Sequence, residues 1–119
     1  MAEGAAPASL SWVPLFVESA NRALDGDIVE ATLEPRTDPL QWVLVLTSQW
    51  SWSTPVVRGL RQILKDWCTV NKAEYVRSDW DGRVFKALVI VRDLGPERKI
   101  NPYEEGSDAA KRRARSLDR

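Results

Sequence analysis

The chain has 119 residues, 44% apolar and 29% charged, enough for one domain with its own core and no need of metal or disulfide support. Basic and acidic residues both number 17, so the formal charge is zero and the molecule as a whole has no general attraction to nucleic acid or anionic membrane. Histidine is absent and cysteine occurs once, which removes the commonest neutral-pH base and metal ligand and excludes an internal disulfide.

The charge is unevenly spread. Residues 1–53 hold seven acids and two bases, residues 54–92 hold eight bases and four acids, and residues 93–119 hold seven bases and six acids. The Met1–Pro7 start has no basic, apolar leader pattern. No run approaches the ~18 apolar residues of a membrane span. A cytoplasmic protein without a membrane partner is the expectation, consistent with a lone thiol.

Residues 1–10, small and Ala/Pro-containing, are expected to be disordered. Ser11 is placed to cap a helix over about 12–25, with Val13, Phe16, Val17, Ala20 and Leu24 on one face and Gly26 as its stop. Residues 27–34 alternate, Val29, Ala31 and Leu33 against Glu30, Thr32 and Glu34, which predicts a half-buried strand. Pro35 to Pro39 breaks the ladder. Leu40–Thr47 is apolar on both faces and reads as a central strand, paired with the first as an antiparallel hairpin.

The chain's strongest pattern is the helix over 54–72. Ser53 or Thr54 is placed to cap it and Pro55 suits its first position. Val56, Val57, Leu60, Ile63, Leu64, Trp67 and Cys68 recur at three- and four-residue steps and face the core. Cys68 on that stripe reads as a small buried hydrophobe. Arg58, Arg61, Lys65 and Lys72 lie within a quarter of the circumference on the other side.

Asp81-Gly82 then marks a tight hairpin between residues 75–80 and 83–92. A two-residue Asp81-Gly82 loop sets Trp80 opposite Arg83, Ser78 opposite Phe85 and Val76 opposite Ala87. Val76, Phe85, Ala87, Val89 and Val91 are then predicted toward the helices. Tyr75, Arg77, Asp79, Val84, Lys86, Leu88 and Ile90 take the other face, with Arg77 across from Lys86, a like-charge pair that needs Asp79 or an acidic ligand nearby. Past Pro96 the periodicity ends, and residues 96–119 read as a charged, mostly flexible tail with Lys111, Arg112, Arg113 and Arg115 clustered.

The predicted fold is therefore a single α+β domain over 11–95, in the order α-β-β-α-β-β. It is a four-stranded, mainly antiparallel sheet with two helices on one face. Its expected core includes Leu44, Val57, Leu60, Leu64, Trp67, Phe85 and Val89.

Little in the chain points to catalysis. The close acid pairs Asp25/Asp27, Asp79/Asp81 and Glu104/Glu105 sit at turns or in the tail, where acids are ordinarily solvated. No phosphate loop, nucleotide fingerprint, nucleophile elbow or cysteine–metal spacing occurs, so neither an enzyme nor a cofactor is expected.

Six tryptophans are many for this length. Trp67, Trp12 and Trp42 read as core and Trp80 as cover for the hairpin. Trp50 and Trp52 interleave with serines, and extended backbone would place both rings on one side. Inward, they close the end of the core. Outward, they form an aromatic platform for a protein or a base.

The composite reading is a non-catalytic protein-binding or assembly module: an adaptor, a small inhibitor or a complex subunit. It self-associates through the exposed sheet face, with Trp50, Trp52, Tyr75, Val84, Leu88 and Ile90 as partner-binding residues. The alternative is a nucleic-acid binder using Arg58, Arg61, Lys65, Lys72, Lys111, Arg112 and Arg113 on phosphates, with Trp50/Trp52 stacking on bases. The zero net charge weighs against it.

Overall fold

The computed structural model describes residues 6–24 and 27–103. It contains helix α1 (Val13–Leu24), strands β1 (Ile28–Pro35) and β2 (Gln41–Ser48), helix α2 (Thr54–Val70), and strands β3 (Ala73–Asp81) and β4 (Val84–Val91). The sheet order is β1-β2-β4-β3 with every neighbouring pair antiparallel. Because β2 and β3 both run against β4, they are parallel to each other. Helix α2 is the crossover that lets β4 slot between them.

Both helices cover one face of this sheet, as the two sequence periods require. The expected core residues Leu44, Val57, Leu60, Leu64, Trp67, Phe85 and Val89 are all at most 1% exposed. At the centre Trp12 stacks on Trp67 at 6.2 Å and 19°, and Phe16 meets Trp67 edge-on at 6.5 Å. Gly59 lets the helices approach closely, since a Cβ there would lie 2.9 Å from Leu24 Cδ2. Trp42 is buried, its indole N–H donating to Pro39 O at 3.1 Å.

Helix ends depart from the expected capping. Ser53 takes the extended N-cap conformation, but neither its hydroxyl nor another side chain bonds the first turn. Pro55 lies inside that turn. Ser11 does not cap α1. Its Oγ accepts from Arg98 N–H and lies 3.1 Å from Arg98 O, which ties it to the C-terminal segment instead. Gly26, the expected stop of α1, lies outside the described residues. The N-terminal stretch is ordered from Ala8 to Leu10 as a short 3-10 turn, and Leu10 is buried.

At the other end of α2, Asn71 is 1% exposed and holds three bonds at 2.8 Å: to Trp67 O, to Ile100 O and from Ile100 N–H. Lys72 follows with φ +61°, the turn that carries the chain into β3. Pro102 is buried and Tyr103 Oη donates to Asp66 Oδ2 at 2.6 Å, so residues 98–103 dock against α2 and the start of α1.

The second hairpin is wound differently from the expectation. Its loop is Gly82-Arg83, with Asp81 opposite Val84, Trp80 opposite Phe85, Asp79 opposite Lys86 and Ser78 opposite Ala87. Gly82 has φ +55° and no other hairpin residue has a positive φ, so the single glycine takes the first central position of the turn. The register therefore slides by two residues, which preserves the faces but changes every partner. Arg77 meets Leu88, and Lys86 meets Asp79 directly, so the like-charge pair does not exist. A bulge between Tyr75 and Arg77 then turns Tyr75 to the helix side and leaves Val76 exposed.

Candidate interaction surface

With both helices on one side, the opposite face of the sheet is open among the described residues. The register builds it row by row. Val43 and Leu88 sit side by side between Glu34 on β1 and Arg77 on β3. Val45 and Lys86 lie between Thr32 and Asp79, Thr47 and Val84 between Glu30 and Asp81, and Gln41 and Ile90 end on Glu74. The central strands thus carry Val43, Val45, Val84, Leu88 and Ile90, all half-buried. The rim is charged and exposed: five acids (Glu30, Glu34, Glu74, Asp79, Asp81) against Arg77 and the more central Lys86.

A shallow hollow of about 380 Å³ at the hairpin end of this face is lined by Asp79, Trp80, Asp81, Val84 and Lys86. Its lining brings the Lys86 ammonium together with the exposed carboxylates of Asp79 and Asp81. Among the described residues no group of three or more His, Cys, Asp or Glu gathers to hold a metal. Nor is any helix among them long and apolar enough to cross a membrane.

No family model, curated protein or solved structure matches this chain.

The residues expected to bind a partner divide. Val84, Leu88 and Ile90 lie together on the open face. Tyr75 does not: the bulge turns it beneath α2, where its hydroxyl is 2.5 Å from Ser78 Oγ and Lys65 Nζ stands 5.2 Å over its ring. Trp50 and Trp52 part company. The chain bends at Gln49-Trp50, where Ser48 Oγ accepts from Trp50 N–H at 3.2 Å. Trp50 is left 65% exposed, whereas Trp52 is buried against Phe85 and its indole N–H donates to Arg83 O at 2.9 Å. Trp52 closes the end of the core, and no two-ring platform forms.

The residues expected to meet nucleic acid also divide. Arg58 and Lys65 are exposed on α2. Arg61 is half-buried beside the sheet edge, its Nε donating to Ser78 Oγ at 2.6 Å and its Nη2 to Ser78 O at 3.4 Å. Helix α2 ends at Val70, so Lys72 leaves the helical strip. Arg77 and Lys86 lie on the far face of the sheet, as expected. Lys111, Arg112 and Arg113 lie outside the described residues.

Two members of the open face, Val43 and Val45, extend it beyond the residues expected from sequence. The signal for them is present all the same, because a strand apolar on both faces in a two-layer fold must show one of them to solvent or to a partner.

Proposed function

We propose that the protein is a non-catalytic assembly module that binds a protein partner, a second copy of itself, through the open face of the sheet in a reducing, cytoplasmic setting. The observation that carries this is the apolar cluster Val43–Leu88, Val45, Val84 and Ile90 on the two central strands, interrupted only by Lys86 and uncovered by any helix among the described residues. An apolar patch rimmed by charge is the anatomy of a protein contact.

Its size bounds its strength. Four strands about 4.8 Å apart and eight residues at ~3.4 Å give a face of roughly 500 Å². Stable interfaces bury about 800 Å² per partner, so the pairing is reversible and concentration-dependent. The acid-rich rims repel each other across a two-fold axis, and added salt screens that repulsion. Dimer formation is therefore expected to strengthen with salt.

Sedimentation velocity across micromolar concentrations tests this. Leu88→Asp should remove the dimer while leaving the monomer's unfolding free energy in urea within about 0.5 kcal/mol of wild type, as for a surface change. A strict monomer at every concentration defeats self-association, and a dimer that survives Leu88→Asp places it on another surface.

A second reading rests on one arrangement on the helix side, Lys65 over Tyr75 with Arg58 and Arg61 alongside. Single-stranded RNA or DNA would set phosphates on these cations and a base near the tyrosine. Affinity should then fall with salt, opposite to the dimer. For every phosphate that Arg58→Ala/Arg61→Ala leaves without its cation, the log–log salt slope should become shallower by about 0.7. Absence of binding at low salt removes this reading.

A further inference from the structure

We propose that the free edge of β1, with the apolar groove beside it, accepts an extended peptide as a fifth strand of the sheet. The inference concerns the sheet edge, which shares only the Glu30/Glu34 rim with the open face, and it does not depend on self-association.

Three observations point there. The first is that the helix layer reaches further than the sheet does. Beyond the buried Ile28, the β1 residues facing the helices include Ala31 and Leu33, paired with Leu46 and Leu44. Leu44 and Leu46 are fully buried, whereas Ala31 is exposed and Leu33 only half-buried. Between β1 and the Ala8–Leu10/α1 segment runs a groove of about 630 Å³, lined chiefly by Leu10, Val13, Pro14, Val17, Ala31 and Leu33. That volume is in the range of clefts that take ligands. A fifth strand beside β1 would lay alternate side chains into it.

The second observation is that the edge already takes a partner of this kind. The Asn21 carboxamide accepts from Ile28 N–H at 2.9 Å and donates to Ile28 O at 3.3 Å. This is the two-point pairing that a neighbouring strand's peptide group makes. Asn21 occupies only the first residue of β1. The other edge of the sheet is guarded differently, with the Arg61 guanidinium on Ser78 O and a bulge at Val76.

The third observation fixes the chemistry of the occupant. The open-face side chains of β1 are Glu30, Thr32 and Glu34, all exposed. A second copy of β1 fits badly. An antiparallel register centred on Thr32 sets Glu30 opposite Glu34 twice, which is unfavourable. One centred on Leu33 brings Pro35, which has no N–H, into the ladder. Lys99 on the groove side disfavours a base pointing inward. The occupant is therefore an extended segment of another protein that alternates basic residues, set against Glu30 and Glu34, with small apolar residues set into the groove.

The test uses a fluorescently labelled short peptide alternating lysine and valine, followed by anisotropy with the full chain. Saturable binding is expected, weakened by at least about tenfold when a central valine becomes proline, and by a similar factor in Leu33→Arg. The exposed double variant Glu30→Lys/Glu34→Lys, which touches no core residue, should reverse the preference to the matching glutamate–valine peptide. Amide exchange should slow on binding at the alternate residues of 30–34 whose N–H groups point away from β2, and Leu88→Asp should change nothing. Equal binding of the proline-interrupted peptide, no reversal in the double variant, or no binding at all overturns the proposal.

Discussion

Trp67→Ala is expected to lower the free energy of unfolding by about 3–5 kcal/mol, a large part of the ~5–15 kcal/mol that holds a domain of this size. Trp67 is fully buried on α2, with Trp12 stacked on one side of it and Phe16 edge-on. Its removal leaves a cavity where both helices meet, and neither of those neighbouring rings can follow inward without giving up its own packing. The ring carries a liability as well. Neither Trp67 Nε1 nor Trp12 Nε1 has a hydrogen-bond partner among the described residues. A buried unpaired donor costs about 1–3 kcal/mol, so Trp67→Phe, which removes that donor with part of the volume, should cost less than half as much as alanine. Urea unfolding of the two variants separates ring packing from the indole N–H. A loss below about 1 kcal/mol in Trp67→Ala would mean that the helix layer does not rest on this stack.

The centre of the fold is legible in the sequence because its signals are redundant. In α2 the 3.6-residue recurrence from Val57 to Cys68 survives any error at the helix ends, and every residue on that stripe is buried. Strand faces in the second hairpin are equally robust, because a slip of two residues keeps Arg77, Asp79, Val84 and Lys86 on the open side. Partners are not robust. Asp81-Gly82 and Gly82-Arg83 are both plausible loops, and only the backbone at Gly82 decides which one closes the turn. The bulge before Arg77 leaves no mark in the alternation, so alternation alone sets Tyr75 on the wrong face, while the Asp81-Gly82 loop implies a like-charge pair that the actual register avoids.

Positions governed by long-range bonds are the least legible. Trp52 is drawn inward by the carbonyl of Arg83, 31 residues away, and this separates it from Trp50. Asn71 reads as a routine helix end, yet its side chain binds Ile100 across 29 residues. Asn21 is a half-buried polar residue of α1, and nothing local to it predicts that it pairs with β1. The candidate site shows the same division. Val84, Leu88 and Ile90 follow from strand period, whereas the groove beside β1 depends on how far α1 overhangs the sheet, a tertiary fact with no periodic trace.

Cys68 makes a large and specific pH effect testable. Burial pushes its thiol from 9.0 up to about 12, because the thiolate would lose its water on the inner face of α2. The sign follows from linkage. Below about pH 9 the thiol is protonated in both states and its contribution is fully present. Above that, the unfolded chain releases a proton that the folded chain retains, so stability falls as pH rises toward about 12. A shift of this size corresponds to roughly 4 kcal/mol at the alkaline limit. The informative quantity is the difference between wild type and Cys68→Ala, in which every other group cancels. The variant should start about 1 kcal/mol less stable near neutral pH, from the small cavity, and lose less on going alkaline, so that the two stability curves converge and then cross. Alkylation of the native thiol near pH 8 should run only as fast as the protein opens, and therefore slow with every stabilising condition. Parallel curves, or alkylation at the rate of a free thiol, would mean that Cys68 is solvated in the folded state and that α2 does not pack on the sheet as described.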